Sequence, residues 1–353
     1  MPVTTKVEDI YEILKDRIKA LGPGSRVLSV REAKEEFKVA PGTVCRAMER
    51  LHREGWIVRR VGKGTFVAPE TRDRPATARR TIMLALPDYP SPNYEAYAQI
   101  FSRLTQDAGH EARIVRYDWR DKILRTIPRE AMEGLIVVPA GARLDVADMY
   151  RLKRVNVPFV VMDRLLNGLE IDFVCGDDEL GAGMAADHLL KLGHRRLAVL
   201  LSEPRVDERR ENGFLRQARF GGAEYVETID CRTISGDSSF RRAYEILTAR
   251  IPKEGLNFSG LFVLSDTSAL GALKAFHDLK INVPEQVSVV GFDGTLEGEF
   301  YHPALTTIRI DNEEKFRQAI AILRRRLDNG RDGALCHLVK PELVVRESTG
   351  EVK

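Results

Sequence analysis

The chain has 353 residues, 43% hydrophobic and 30% charged, the composition of a soluble protein large enough for two or three packed domains; it excludes intrinsic disorder, collagen-like repeats and small disulfide scaffolds. Four cysteines, Cys45, Cys175, Cys231 and Cys336, are scattered without a C-x-x-C pair, which fits free thiols in a reducing cytosol rather than disulfides or structural zinc. The net charge is +3, but residues 1–80 hold 18 Lys and Arg against 11 Asp and Glu while the remainder holds 37 against 41, so a polyanionic partner is expected at the N-terminal end only. The opening MPVTTKVEDIYEILKDRI has no apolar core, and no apolar run long enough to span a bilayer occurs, so a cytoplasmic rather than exported or membrane location is expected.

In chain order, Tyr11, Leu14, Ile18 and Leu21 recur at helical spacing before Gly22-Pro23-Gly24, predicting a first amphipathic helix. Ser29 and Glu32 have the spacing of a capping box, predicting a short second helix from Ser29 to about Phe37. A third helix opens with Pro41 in its first turn and buries Val44, Ala47, Met48 and Leu51 on one side. Its other side is expected to present Thr43, Arg46 and Arg50 as one exposed stripe, the arrangement that reading a DNA major groove requires. Ordinary solvated helix charges would look the same at Arg46 and Arg50. Two short strands follow, Trp56 to Arg60 and Thr65 to Val67, around Gly62-Lys63-Gly64; the glycines allow a tight turn, and Lys63 at its tip is placed to meet phosphate or a minor groove.

This stretch resembles the winged helix-turn-helix of GntR-type repressors. The family's first box, recognition helix and wing are matched by VLSVREAK, VAPGTVCRAM and GKGTFV. The sequence departs from the family at Leu28, where the box has proline, and at Ala40-Pro41, where the family has a Ser-Arg pair. The resemblance implies double-stranded operator DNA as partner and Arg31, Thr43, Arg46, Arg50, Lys63 and Gly64 as contacts.

Residues 69–80, which include TRDRPATARR, have no apolar periodicity and read as a linker between a winged helix-turn-helix domain (α+β) at 1–68 and a body at 81–353. In the body, apolar runs such as Thr81 to Leu86, Ala112 to Tyr117, Gly134 to Val138, Pro158 to Met162, Leu197 to Leu201, Leu261 to Leu264 and Val287 to Gly291 alternate with helical patterns. That alternation predicts an α/β body of doubly wound parallel sheets, large enough to form two lobes.

Polar and aromatic residues follow many of these strands: Asp88-Tyr89, Asn93-Tyr94, Asp163-Arg164, Arg210, Ser265-Asp266 and Asp293. Ligands of open α/β sheets bind at that edge. Aromatic plates with carboxylate and guanidinium groups suit a polyol, whose CH face stacks while its hydroxyls take hydrogen bonds. Other readings stand beside this one: Asp266 as a helix cap, Asp163 and Arg164 as a mutual pair, and Arg210 as a surface ion pair. His188 and His194 read as a solvated helix residue and a helix-end cap.

The body resembles the effector domains of LacI/GalR-type regulators and the related periplasmic sugar-binding proteins through VPFVVMDR, GDDELGAGMAADHLLKLGHRRLAVL, RRENGF, LFVLSDTSALGALKAF, VPEQVSVVGFDG and PALTTIRID, in that order. The two resemblances together describe an AraR-like architecture. They imply a two-lobed periplasmic-binding-protein-like body and effector contacts at Asn93, Tyr94, Arg210, Ser265, Asp266 and Asp293, with Ser265 standing where the family has asparagine; Asp163 joins the expected contacts from its place at a strand end. The chain is expected to cross between lobes near Gly193-His194, between Asp293 and Thr306, and near Asn329.

No G-x-G-x-x-G after a strand, G-x-x-x-x-G-K-[ST], H-E-x-x-H or G-x-S-x-G motif occurs, so no catalytic residue, cofactor or metal is expected. The reading is a homodimeric repressor released from its operator by a sugar or sugar derivative. An activator or co-repressed regulator with a non-sugar effector is the alternative.

Overall fold

The computed structural model describes residues 6–22, 24–53, 56–60, 64–68, 79–89, 91–118, 132–139, 146–153, 157–166, 168–202, 208–233, 237–329 and 333–352. Most of the expected linker and the wing tip, Lys63 included, lie outside them. The chain divides into two compact units, Met1–Arg79 with Arg325–Asp332, and Arg80–Arg324 with Gly333–Lys353.

The first unit is built from α1 (Lys6–Ala20), α2 (Val30–Phe37), α3 (Pro41–Arg53) and a hairpin of β1 (Ile57–Arg60) and β2 (Gly64–Val67). At the start of α2 the Ser29 hydroxyl accepts from the Glu32 amide at 3.2 Å while the Glu32 carboxylate accepts from the Ser29 amide at 2.7 Å; this capping box satisfies two otherwise orphaned donors and contributes about 1 kcal/mol. Tyr11, Leu14 and Ile18 of α1 meet Val44, Ala47, Met48 and Leu51 of α3 in one core closed by Ile57 and Val67 of the hairpin. Leu21 falls just beyond α1 and is exposed.

The second unit contains two six-stranded sheets among the described residues. The first lobe is built on β3 (Thr81–Pro87), β4 (Glu111–Tyr117), β5 (Gly134–Val137), β6 (Phe159–Met162) and β7 (Phe173–Gly176), with α4 (Pro92–Asp107) and α5 (Val146–Lys153) between them. The second lobe takes α6 (Asp178–Lys191), β8 (Arg196–Leu201), α7 (Glu208–Phe220), β9 (Tyr225–Asp230), α8 (Ser239–Glu254), β10 (Gly260–Val263), α9 (Asp266–Asp278), β11 (Ser288–Asp293), the short α10 (Leu296–Phe300) and β12 (Thr306–Ile310). The chain then returns through α11 (Asn312–Asn329) and β13 (Cys336–Val339) to the first sheet, and ends with β14 (Pro341–Val344) in the second.

Strand order is β13-β7-β6-β5-β3-β4 in one sheet and β14-β12-β11-β10-β8-β9 in the other, parallel throughout except for β14 against β12. The direction of winding reverses at β3 in the first lobe and at β8 in the second, which makes the C-terminal ends of those strands the expected ligand crevice. Strands β5, β6, β7 and β10 are buried along their whole length, as helices on both sheet faces demand.

The three crossings between lobes differ from expectation. The first is at Gly176–Asp178, because α6 packs against α7, β12 and β14 of the second lobe rather than ending the first. The second follows Ile310, since β11 and β12 are hydrogen-bonded neighbours in one sheet. The third lies between Val339 and Pro341, because β13 pairs with β7 while β14 pairs with β12. These segments lie side by side: the Asp177 amide donates to the Val339 carbonyl at 3.0 Å, and a Cβ on Gly176 would stand 2.9 Å from Ile310 Cδ1.

Candidate functional site

On α3 the buried side holds Val44, Ala47, Met48 and Leu51, each no more than 1% exposed. The stripe expected on its opposite side is only partly open. Thr43 is 9% exposed. Arg50 donates through Nη1 to both carboxylate oxygens of Glu8, at 2.8 and 2.9 Å, and its guanidinium lies 3.8 Å from the Tyr11 ring centroid. Successive residues turn by about 100°, so Thr43, Arg46 and Arg50 do share an arc, but that arc sits on the flank of the exposed face and leans over α1. Its centre carries Gly42, Arg46 and Glu49, all exposed.

Arg46 reaches back along the helix, its Nε donating to the Gly42 carbonyl at 3.3 Å. The Arg31 side chain is 89% exposed, 3.5 Å from Glu35. Gly64, at the start of β2, is exposed and holds φ +108, a conformation that a side chain would strain.

At the crevice of the first lobe, Tyr89 after β3 and Tyr94 in the first turn of α4 join hydroxyls at 2.8 Å, with rings edge to face at 5.2 Å. Asn93 is half-exposed beside them. Asp163, just after β6, adopts φ 55, an uncommon conformation for a residue other than glycine. Its carboxylate accepts from the Tyr97 hydroxyl at 2.7 Å and from Lys315 Nζ at 2.7 Å, and Lys315 also donates to the Tyr97 oxygen at 2.6 Å. Asp163 is therefore paired with a lysine from α11, not with Arg164.

At the crevice of the second lobe, Arg210 in the first turn of α7 donates to the Leu264 carbonyl at 2.6 Å and to Asp293 at 3.1 Å. The guanidinium carbon lies over the Phe292 ring, 3.7 Å from its centroid, and Asp178 stands 3.5 Å from its Nε. Beside it, Arg209 spans the first crossing, donating to the Gly176 carbonyl at 3.3 Å with Asp177 at 3.5 Å and Asp178 at 3.7 Å. Burial pushes Asp293 up to about 7; Arg210 opposes this, while Asp266 and Asp178 add to it.

Ser265 is the cap of α9, accepting from the Ser268 amide at 3.4 Å and donating to the Ser202 hydroxyl at 3.2 Å. Asp266 is a correction in two respects. It does not cap α9, and it is fully buried, so it presents no surface to a ligand. Its carboxylate accepts from the Thr307 hydroxyl at 2.6 Å and from the Thr295 amide at 2.7 Å, tying β12 and the turn after β11 to α9. Burial raises its pKa, against those two donors.

The two clusters face one another. Burial and the neighbouring Asp163 charge push the Tyr97 hydroxyl well above its ordinary range, and Asp293 of the second lobe adds to the same effect. Tyr97, Lys315, Asp178 and Arg209 were not foreseen as site residues. The legible signal for Lys315 was a lysine on the apolar stripe that continues through Ala319 and Leu323. The side chain of His194, expected to cap a helix end, is instead buried: it is 2% exposed and bonds Ser259 and Ser288 at 2.9 Å each, and burial lowers its pKa. His188 is half-buried, with Nε2 3.0 Å from the Thr349 hydroxyl. All four cysteines are free, and no described helix is long and apolar enough to cross a membrane.

Residues 6–67 match the family model described as bacterial regulatory proteins of the gntR family, and residues 186–349 match that of a periplasmic binding protein-like domain. The chain is similar, at 26% identity over 372 residues and 98% of each chain, to the arabinose metabolism transcriptional repressor of Halalkalibacterium halodurans. Its body shares its fold with a LacI transcriptional regulator from a Rhodococcus species, at a TM-score of 0.68 and 24% identity over 77% of this chain and 99% of that one. A LacI family regulator of Enterococcus faecium, solved with bound ribose, matches at a TM-score of 0.66 and 23% identity over 78% of this chain and all of its own.

Proposed function

Because the chain joins a GntR-type winged helix-turn-helix head to a body of the LacI and periplasmic-binding-protein-like fold, we propose that it is a cytoplasmic transcriptional repressor released from its operator by a sugar. The observation that carries the reading is that the tyrosine cluster of one lobe, Tyr89, Tyr94 and Tyr97, lies near enough to the Arg210–Asp293 pair of the other for the Asp293 charge to act on Tyr97. Tyrosine faces stack on the CH face of a sugar ring while the ion pair bonds vicinal hydroxyls. Asn93, Asp163 and Ser265 complete the contact set, with Lys315 holding Asp163 in place. Pentoses are the first candidates, since the relative similar along its whole length is a repressor of arabinose metabolism.

Two copies of the chain bind two half-sites about one helical turn, roughly 34 Å, or a small multiple apart. Arg31, Arg46, Lys63 and Gly64 contact the DNA, and Arg50 holds the recognition helix against α1. The sugar draws the lobes together about the three adjacent crossings, a hinge closure. No step of this mechanism calls for catalysis or a cofactor.

The test is fluorescence anisotropy of the full-length protein on its own promoter DNA at fixed salt, repeated with a panel of pentoses, hexoses and disaccharides. One sugar should release the DNA, and Arg210→Ala should abolish the release while leaving sugar-free binding intact. Specific binding that no sugar alters would refute the sugar assignment, and a protein that never binds the promoter would refute the repressor reading.

A further inference from the structure

The geometry of α3 sets beside Arg46 a residue the head's sequence did not single out: we propose that Arg46 and Glu49 read adjacent base pairs of each half-site, Arg46 a guanine and Glu49 a cytosine. The inference rests on the DNA-binding reading above. Three observations lead to it. The first is that the flanking candidates are withdrawn, Thr43 by burial and Arg50 by its bonds to Glu8 and its stacking on Tyr11.

The second is position. Gly42, Arg46 and Glu49 project within an arc of about 60° at 100° per residue, directly opposite the buried Val44, Ala47 and Leu51. Nothing stands within 4 Å of where a Cβ of Gly42 would be, so the first turn of the helix can enter a groove closely. Arg46 and Glu49 are separated along the axis by about 4.5 Å, which is comparable with the base-pair rise of about 3.4 Å.

The third is chemistry. Glu49 is exposed and has no partner among the described residues. A carboxylate there costs affinity by facing phosphates unless it accepts a hydrogen bond from a base edge. Major-groove donors are the amino groups of cytosine and adenine, but adenine places its N7 acceptor beside the donor, where a second carboxylate oxygen is repelled. Cytosine presents its amino group without that neighbour. Arg46 needs only to exchange its bond to the Gly42 carbonyl for the paired O6 and N7 acceptors of guanine.

The test is selection of duplexes from a randomised pool by the full-length protein and by Glu49→Gln and Arg46→Ala, followed by anisotropy on the enriched sequences at several salt concentrations. The wild type should enrich a G and a C at neighbouring positions. Glu49→Gln should change the preferred base at the cytosine position to adenine, which glutamine bonds bidentately, with a change in discrimination of roughly 5- to 150-fold there. Arg46→Ala should relax the guanine position alone by a similar factor. Both side chains are exposed, and circular dichroism checks that the variants fold.

Tighter binding of Glu49→Gln to every sequence alike, with the preferred bases unchanged, would place Glu49 against phosphate and overturn the assignment while leaving the repressor reading intact. Enrichment of no sequence by the wild type would overturn both.

Discussion

Asp293 ends β11 with its carboxylate under opposing influences: burial, Asp266 and Asp178 favour the neutral acid, and Arg210 favours the anion. Its folded value near 7 lies above the ordinary 3.8, so the folded chain holds this proton more tightly than the unfolded chain. The contribution of Asp293 to stability is then fully present below about pH 4 and is lost as the pH rises toward 7. Removing the titration with Asp293→Asn should make the variant gain stability relative to the wild type between pH 5 and pH 8, as read by the difference in their melting temperatures. A constant difference across that range would contradict the assignment. At this scale sequence reasoning located strand ends but not burial: Asp266 and Asp293 both follow strands, yet one is sealed under β12 and the other opens to the crevice. Periodicity likewise could not show that Arg50 would fold onto Tyr11, because Glu8 and Tyr11 lie some forty residues away in the chain.

Helix spacing gives the glycine of R-x-x-G-F its role. A Cβ on Gly213 in α7 would stand 2.4 Å from the backbone oxygen of Glu179 in α6, so the two helices pack at backbone distance, and that packing sets the height at which Arg209 and Arg210 enter the crevice. Gly213→Ala should push α7 outward, at a cost of roughly 1–3 kcal/mol, lowering the melting temperature and weakening the sugar response more than DNA binding. An unchanged sugar response at reduced stability would separate the glycine from the site. Elements were legible where burial was continuous: β3, β5 and β6 agree with their apolar runs to within a residue. In β9 only Ile229 is buried, and β13 at the sheet margin is mostly open, so neither leaves a continuous apolar run to detect.

Over the whole molecule, the proposed coupling between sugar and operator must be reciprocal: whatever factor the sugar takes from DNA affinity, operator DNA takes from sugar affinity, with typical couplings of about 1–3 kcal/mol. Isothermal titration of the releasing sugar into free and operator-bound protein measures this directly. Equal affinities would mean that the sugar acts without distinguishing the two states. The two-lobed plan was readable from alternating strands and helices, but the crossings were not, because Gly193 and the segment after Asp293 look like natural breaks while the real ones fall at a single glycine and two short turns. Only the packing of α6 against α7, β12 and β14 shows that it belongs to the lobe that follows it.

That interleaving sets a schedule for synthesis. Strand β7 ends at Gly176, but its parallel neighbour β13 begins only at Cys336, an interval of roughly 10 to 30 s at ordinary translation rates. During that interval β7 has an open edge, and β12 lacks its partner β14 for a shorter time. An unpaired edge is a template for other chains. A message truncated before codon 336 would therefore yield a protein with most of its sequence but without the edge strand that completes each sheet, β13 in one lobe and β14 in the other.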